Sequence, residues 1–195
     1  MQTAADTIVP SRKQKDLEQF VTMLQSATQA IRDVYMQLPV ASKEEPVYRE
    51  RVYCYELYHC LRKEMERLVH FNYFICGELD KAGYPLFRDN ARLNKAKPDF
   101  LVHIPRDMNN NLVAVEVKAI NARPCDIMDD LKKLTAFCLP EAGYYHAIYL
   151  IYGREPDDLG RIKKAARNTV GIDTRTISFF WHRSAGVPAE KQAWD

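Results

Sequence analysis

Two carboxylates and a lysine between residues 97 and 119 have the types and the spacing that metal-assisted hydrolysis requires. Asp99 opens one short apolar stretch, and Glu116 and Lys118 lie near the end of the next. Because side chains alternate across a β-strand, Glu116 and Lys118 point to one face together with Ala114, while the intervening valines point to the other. A strand that is apolar on one face and charged on the other indicates that the charged face borders a cleft.

The turn between the two stretches predicts how the carboxylates meet. If they form an antiparallel hairpin in which Ile104 pairs with Asn111, Asp99 lies directly opposite Glu116. Two facing carboxylates repel unless they share a proton or bind a cation, and oxygen donors of this kind suit Mg²⁺ or Mn²⁺. Lys118 then orients or deprotonates an attacking water, or offsets charge on a phosphate. The residues predict phosphodiester hydrolysis; the alternative is an ordinary hairpin with charges on its solvated face.

Periodic patterns predict the elements that position this hairpin. Apolar residues that recur every three or four positions indicate helices, and β-branched or aromatic runs indicate strands. The predicted order is a helix from about 13 to 38, a helix from Tyr48 to His70, a strand from Tyr73 to Leu79, the hairpin, a helix that begins at Pro124, a central strand at 146–153, a helix at 156–168, a strand at 174–182 and a loose tail. This order predicts an α/β fold with a mixed central β-sheet flanked by helices.

The composition predicts a protein with a packed core and no membrane segment. The chain has 195 residues, of which 47% are hydrophobic and 28% are charged, which is enough for one domain with a substantial core. The net charge of +2 does not by itself indicate a polyanionic partner. No apolar run is long enough to span a bilayer, so we expect a cytoplasmic protein, and the scattered cysteines predict reduced thiols.

Two short motifs in the hairpin resemble those of a known enzyme superfamily. Pro98-Asp99 is similar to the PD element of the PD-(D/E)XK nucleases, and Glu116-Val117-Lys118 is similar to their ExK element. The resemblance covers roughly residues 48–182, including the helix before the hairpin and the helix and strand after it. It implies the restriction-endonuclease-like core, αβββαβ, with an N-terminal helical extension.

The resemblance also implies a role for each site residue. Asp99 and Glu116 would bind Mg²⁺ or Mn²⁺, and Lys118 would assist the attacking water. Many members place a glutamate on the preceding helix so that it faces the metal. That pattern implies Glu56 as a further catalytic residue and metal ligand, with Glu50 as the alternative.

The implied function is that of a metal-dependent nuclease, most simply a DNA endonuclease of a prokaryote or phage that acts in defence or repair. Two alternatives stay open. One is a non-catalytic module that binds nucleic acid or protein on a nuclease fold. The other is an effector that cuts RNA and needs a partner protein for its target.

Basic residues flank the hairpin in sequence and are candidates for contacts to nucleic acid. Arg92 and Lys97 precede it, and Lys133, Arg161 and Lys164 follow it. Such residues bind the phosphate backbone and position a nucleic acid without reading its bases. The alternatives are a solvated helix face for Arg161 and Lys164, and a complement to the helix dipole for Lys133.

The same patterns divide the chain into three parts: an N-terminal helix and linker at 1–47, a nuclease-like domain at 48–183 and a C-terminal tail at 184–195. The apolar stripe of the first helix is compatible with packing on its own domain or on a second copy in a homodimer. No second domain for reading bases is evident, which leaves room for a partner protein that recognises the target.

Overall fold

A six-stranded mixed sheet forms the centre of the protein. The computed structural model describes residues 11–41, 43–77, 97–154 and 158–195. In their order across the sheet the strands are β1 (Phe74–Gly77), β2 (Phe100–His103), β3 (Asn111–Ala119), β4 (His146–Tyr152), β5 (Ile177–His182) and β6 (Glu190–Gln192). Strands β1 to β3 are antiparallel, β3 to β5 are parallel, and β6 is antiparallel to β5. The predicted α/β fold with a mixed sheet is therefore confirmed.

Helices cover both faces of this sheet. They are α1 (Arg12–Ala30), α2 (Asp33–Met36), α3 (Glu50–Arg67), α4 (Pro124–Phe137) and α5 (Asp158–Asn168). Helices α1 and α3 pack on one face, and α4 and α5 pack on the other. Within the described residues, no helix is both long enough and apolar enough to cross a membrane.

Strand β3 divides its side chains between these two cores. Val113, Val115 and Val117 belong to the core beneath α1 and α3, whereas Ala114 belongs to the core beneath α4 and α5. The alternation predicted from the sequence is confirmed, because a buried strand must present successive side chains to opposite layers. Glu116 and Lys118 consequently lie on the side of the sheet that carries Ala114.

Local sequence explains where the helices begin and end. The Ser11 hydroxyl accepts a hydrogen bond from the backbone amide of Gln14 at 3.2 Å and caps α1. Pro124 occupies the first turn of α4, where its missing N–H is not needed. Helix α1 ends at Ala30 rather than continuing to about residue 38, because Ile31 adopts an extended backbone and its amide bonds the Thr28 carbonyl.

The apolar side of α1 packs within its own chain. Phe20, Leu24 and Ala27 are fully buried in the core formed with α3 and β3. This is the first of the two arrangements that the sequence allowed for this helix. The stripe is therefore covered without a second copy of the protein.

The C-terminal residues form part of the sheet, so the expectation of a loose tail is wrong. Strand β6 pairs with β5, and Ala189 is fully buried. The Trp194 ring stacks on Phe179 with centroids 4.9 Å apart, and its indole N–H donates to the Ile177 carbonyl at 2.7 Å. These contacts bury apolar surface that the sequence pattern of the tail, which is short and has no regular apolar repeat, did not indicate.

Candidate active site

The predicted hairpin pairing brings Asp99 beside Glu116. The observed register joins Phe100 to Val115 and Leu101 to Ala114, and its continuation by one residue places Asp99 opposite Glu116. The predicted partners Ile104 and Asn111 do not pair, since a register shift after Val102 joins Asn111 to His103 instead. The pairing near the carboxylates is the predicted one, although the turn end of the hairpin is not.

Asp99 is held in place by the neighbouring strand. Its Oδ2 accepts a hydrogen bond from the backbone amide of Val117 at 2.7 Å. The Asp99 and Glu116 carboxyl groups are near enough for each to affect the pKa of the other. Two neighbouring carboxylates repel unless they share a proton or bind a cation.

Helix α4 supplies two charged groups to the same cluster. Glu116 is only 1% exposed, and its Oε1 accepts a hydrogen bond from Lys133 Nζ at 2.7 Å. Lys133 Nζ also lies 3.2 Å from Asp130 Oδ1. Lys133, which was a candidate for phosphate contact, is thus the direct partner of a proposed metal ligand.

Lys118 connects the helix before the hairpin with the helix after it. Its Nζ donates to Glu50 Oε1 at 2.9 Å and lies 3.4 Å from Asp130 Oδ2. That Asp130 oxygen is buried and has no hydrogen-bond partner of proper geometry among the residues that the structure describes. An unsatisfied buried acceptor in a charged cluster is a place where a bound water or ion would be stabilised.

The cluster carries more negative than positive charge. Its members are Glu50, Asp99, Glu116 and Asp130 with Lys118 and Lys133. Four carboxylates against two ammonium groups leave a formal charge of −2 when all are ionised. One divalent cation would neutralise that excess.

Burial raises the pKa values of the carboxyl groups in this cluster, which also disfavours their negative charge. It raises the pKa of Glu116 well above the ordinary value, and the nearby charge of Asp99 adds to the effect. Burial also raises the pKa of Asp99 and of Glu50, although Lys118 opposes the shift at both. The cluster therefore favours uptake of a proton or a cation.

The pKa values of the two lysines are also raised, but here burial opposes the shift. Burial alone would lower the pKa of Lys118, but the carboxylates of Asp130 and Glu50 outweigh it and raise that pKa. The pKa of Lys133 is raised for the same reason, with Glu116 as its main partner. Both ammonium groups consequently stay protonated at neutral pH.

The helix glutamate that enters the cluster is Glu50, the alternative considered from the sequence, and not Glu56. Glu50 is the first residue of α3, and its carboxylate contacts Lys118. Glu56 lies six residues further on, about 240° around the helix axis. There it adds to burial in raising the pKa of Cys60. Helical phase separates the two glutamates. Leu57 and Leu61 lie about 20° to either side of Glu50, so Glu50 is in the middle of the apolar stripe and Glu56 is at its edge.

Asp130 is the member of the cluster that sequence reasoning missed. Together with other aspartates at the start of α4 it was attributed to the helix dipole. It lies three residues after Ile127 and four before Leu134, both of which are fully buried, and only 5% of Asp130 itself is exposed. This spacing places it on the buried face of the helix, and it was the signal that a carboxylate at this position is not a surface residue.

The remaining candidates for nucleic-acid contact are not among the residues that define this cluster. Arg161 Nη2 donates to the Ile120 carbonyl at 2.6 Å, and Nη1 donates to the Ala122 carbonyl, so this guanidinium holds the segment after β3. Lys97 and Lys164 are exposed. Arg92 lies outside the described residues.

A cavity gives solvent access to the carboxylates. Its volume is about 400 Å³, and the residues that line it include Glu50, Arg51, Cys54, Tyr55 and Asp99. This is the size range of small-molecule sites. A phosphate group that enters it meets Asp99 and Glu50.

The donor set suits a hard divalent cation, although Glu116 and Glu50 each contact a lysine. Within the residues that the structure describes, no group of three or more His, Cys, Asp or Glu side chains is arranged to hold a metal ion. Mg²⁺, however, is commonly held by one or two carboxylates, with water and phosphate oxygens in its other positions. Asp99 and Glu116, which the strand register places opposite each other, would supply two such carboxylates.

The sequence matches no protein-family model and no curated protein.

Proposed function

We propose that this protein is a metal-dependent nuclease that hydrolyses phosphodiester bonds, with DNA as substrate and with a restriction-endonuclease-like core of the PD-(D/E)XK type. The observation that carries the proposal is the strand register that places Asp99 opposite Glu116, beside Lys118, in a buried cluster whose carboxylates outnumber its lysines. The order of elements supports it as well. Helix α3 precedes three antiparallel strands, and α4 and the parallel strand β4 follow them.

Asp99 and Glu116 would hold Mg²⁺ or Mn²⁺, with Glu50 as a further carboxylate nearby. Such an ion, when bound, polarises a phosphate and lowers the pKa of a coordinated water. The chain itself supplies the buried environment, in which charges interact more strongly than in water. It also fixes Asp99 through the Val117 amide, so that little reorganisation is needed when substrate binds.

Lys118 acts in this proposal as a hydrogen-bond donor and a positive charge. Two carboxylates surround its ammonium group and raise its pKa, so it is protonated at neutral pH and does not remove a proton from water. Of the three roles that the sequence allowed, orientation of the attacking water and compensation of charge on the phosphate are retained. Deprotonation of the water is not.

The test is cleavage of supercoiled plasmid, linear duplex DNA, single-stranded DNA and RNA in the presence of Mg²⁺, Mn²⁺ or EDTA. We expect cleavage of DNA that requires a divalent ion. A Lys118→Met preparation purified in parallel controls for contaminating nucleases. Calorimetry of wild type and Asp99→Asn is expected to show metal binding that requires Asp99.

Absence of cleavage of every substrate, together with absence of metal binding that depends on Asp99, would overturn the proposal. A non-catalytic module would then be the better interpretation of the fold. Cleavage confined to RNA would support the proposed active site but show that the substrate is RNA and not DNA.

The structure places Glu50, and not Glu56, in the cluster, and a separate prediction follows from this assignment. Glu50→Gln keeps the shape of the side chain and removes its charge, and we expect metal-dependent cleavage to fall by about 10- to 100-fold, as for residues that support metal ligands. Glu56→Gln is the matched control on the same helix and should stay within about twofold of wild type. Initial rates at saturating Mg²⁺ measure both. A larger loss for Glu56→Gln than for Glu50→Gln would contradict the assignment.

A further inference from the structure

A second cavity lies at the carboxyl ends of β4 and β5. Its volume is about 420 Å³, and the residues that line it include Tyr48, Gly153, Arg154 and Arg183. Gly153 directly follows β4, and Arg183 directly follows β5. In open α/β sheets, ligands bind in the crevice outside the carboxyl ends of parallel strands. The position of this cavity is therefore one at which binding is common.

The position of Arg154 is fixed by close packing around Gly153. Gly153 has a φ of +115°, and a Cβ at this residue would lie 2.6 Å from the Tyr48 ring. The Tyr48 hydroxyl accepts a hydrogen bond from the Arg154 amide at 3.1 Å. Only glycine permits this approach, and as a result the Arg154 backbone is anchored at the rim of the cavity.

Arg183 is oriented by an aromatic ring. Its guanidinium carbon lies 4.1 Å from the centroid of the Trp181 ring, within the range of a cation–π contact. The Trp181 indole N–H in turn donates to the Gly153 carbonyl at 2.9 Å. The stacked guanidinium keeps its N–H edge available for bidentate hydrogen bonds to an anion.

Neither arginine forms an ion pair with a carboxylate of the described chain. Both side chains are exposed, and Asp33 is the acidic residue among those that line the cavity. Among the lining residues that the structure describes, two guanidinium groups stand against one carboxylate, so this part of the cavity carries more positive than negative charge. It therefore suits an anionic ligand, in contrast to the acidic cluster around Glu116.

The segment that begins α3 separates this cavity from the cluster. Tyr48 lines the cavity, and Glu50, two residues later, contacts Lys118 and lines the other cavity beside Asp99. A chain of phosphates that crosses the carboxyl edge of the sheet would meet the acidic cluster first and the two arginines next. Spaced phosphates are a property of nucleic acids that isolated anions lack.

We propose that Arg154 and Arg183 bind a backbone phosphate of the nucleic-acid strand whose neighbouring phosphodiester lies at the Lys118 cluster. This inference rests on the proposed nuclease function and adds to it the direction in which the strand leaves the site. The contacts are to phosphate, so they position the strand without selecting its sequence. They also replace Arg161 as the basic residues expected to touch the substrate.

The test is fluorescence anisotropy with labelled 24-nucleotide DNA, single-stranded and duplex, and with RNA of the same sequence. The buffer contains Ca²⁺ or, separately, EDTA, and the NaCl concentration is varied. We expect the double variant Arg154→Gln and Arg183→Gln to bind about tenfold more weakly at low salt. Its slope of log Kd against log[NaCl] should fall by about 1, the value expected for the loss of one phosphate contact.

Two further variants make the result specific. Lys63→Gln removes an exposed positive charge from the second half of α3 and should bind as wild type does. Arg183→Lys keeps the charge and should keep the salt slope, although it loses the bidentate geometry. Circular dichroism and thermal unfolding of all variants confirm that they are folded. The preference between the DNA and RNA arms identifies the strand.

The outcomes separate this inference from the proposed function. Wild-type affinity and salt slope in the double variant would overturn the inference, even if the protein cleaves DNA. Absence of binding by wild type in both buffers would overturn it too. Binding that requires the two arginines, in a protein that cleaves no substrate, would support the phosphate-binding inference and contradict the proposed nuclease function.

Discussion

Replacement of Lys118 by methionine is expected to lower the rate of metal-dependent cleavage by about 1,000-fold, a loss typical of removing one positioned group that stabilises charge in the transition state. Methionine has a similar length and no charge. Without the ammonium group, Glu50 and Asp130 lose their shared partner, and the attacking water loses a donor. Single-turnover cleavage at saturating Mg²⁺ measures the effect on the chemical step.

Metal binding separates this loss from a structural one. The variant cluster is more negative by one charge, so a calorimetric titration should show Mg²⁺ or Mn²⁺ affinity that is retained or increased. Lys132→Met removes an exposed lysine from α4 and is the matched control. A folded Lys118→Met protein that binds metal and cleaves at the wild-type rate would remove Lys118 from the mechanism.

Strand periodicity and hairpin register are the features that sequence predicted well. Alternation along β3 has only two phases, and the apolar valines select one of them because they must face a core. That choice places Glu116 and Lys118 together on the opposite side. Asp99 follows from the pairing of two short strands across a turn. These inferences use local geometry alone, and the observed register agrees with them near the site.

Helix faces and tertiary contacts were harder to predict. Glu56 was preferred at the edge of the apolar stripe, whereas Glu50, which is in phase with Leu57 and Leu61 at its centre, is the glutamate that contacts Lys118 on β3. Asp130 looked like part of an acidic first turn, yet it is buried. The Arg161 contacts to backbone carbonyls after β3 depend on the packing of α5, which no local pattern encodes.

The C-terminal strand was missed for a related reason. Strand β6 is three residues long and exposes polar side chains, so it lacks a period that sequence analysis detects. Its stability comes from pairing with β5 and from the stacking of Trp194 on Phe179. Such contacts join parts of the chain that are adjacent only after folding.

The other prediction with a large expected effect concerns Lys133 on α4, because its ammonium group neutralises the buried Glu116 carboxylate. Lys133→Met leaves Glu116 without its ammonium partner, and removal of one member of a buried ion pair costs about 3 kcal/mol or more. We therefore expect the free energy of unfolding at pH 7.5 to fall by about 3 kcal/mol, measured by urea titration. Lys132→Met, which removes the exposed neighbouring lysine, should leave it nearly unchanged.

The pH dependence of this loss has a definite sign. The pKa of Glu116 is raised by burial and by Asp99, so the folded state binds a proton more tightly than the unfolded state does. Stability from this group is present below its unfolded pKa and declines as pH rises through its folded pKa. Removal of Lys133 raises the folded pKa further. The variant should consequently regain stability relative to wild type as pH is lowered toward the unfolded pKa of a glutamate.

A divalent ion should restore the variant by the same logic. An ammonium group and a metal ion compete for Glu116, so Lys133→Met is expected to bind Mg²⁺ or Mn²⁺ more tightly than wild type. Its melting temperature should rise more on addition of millimolar metal, because a ligand that binds only the folded state stabilises it. A variant that is as stable as wild type, or whose melting temperature does not respond to metal, would contradict the view that Lys133 occupies the place of a cation beside Glu116.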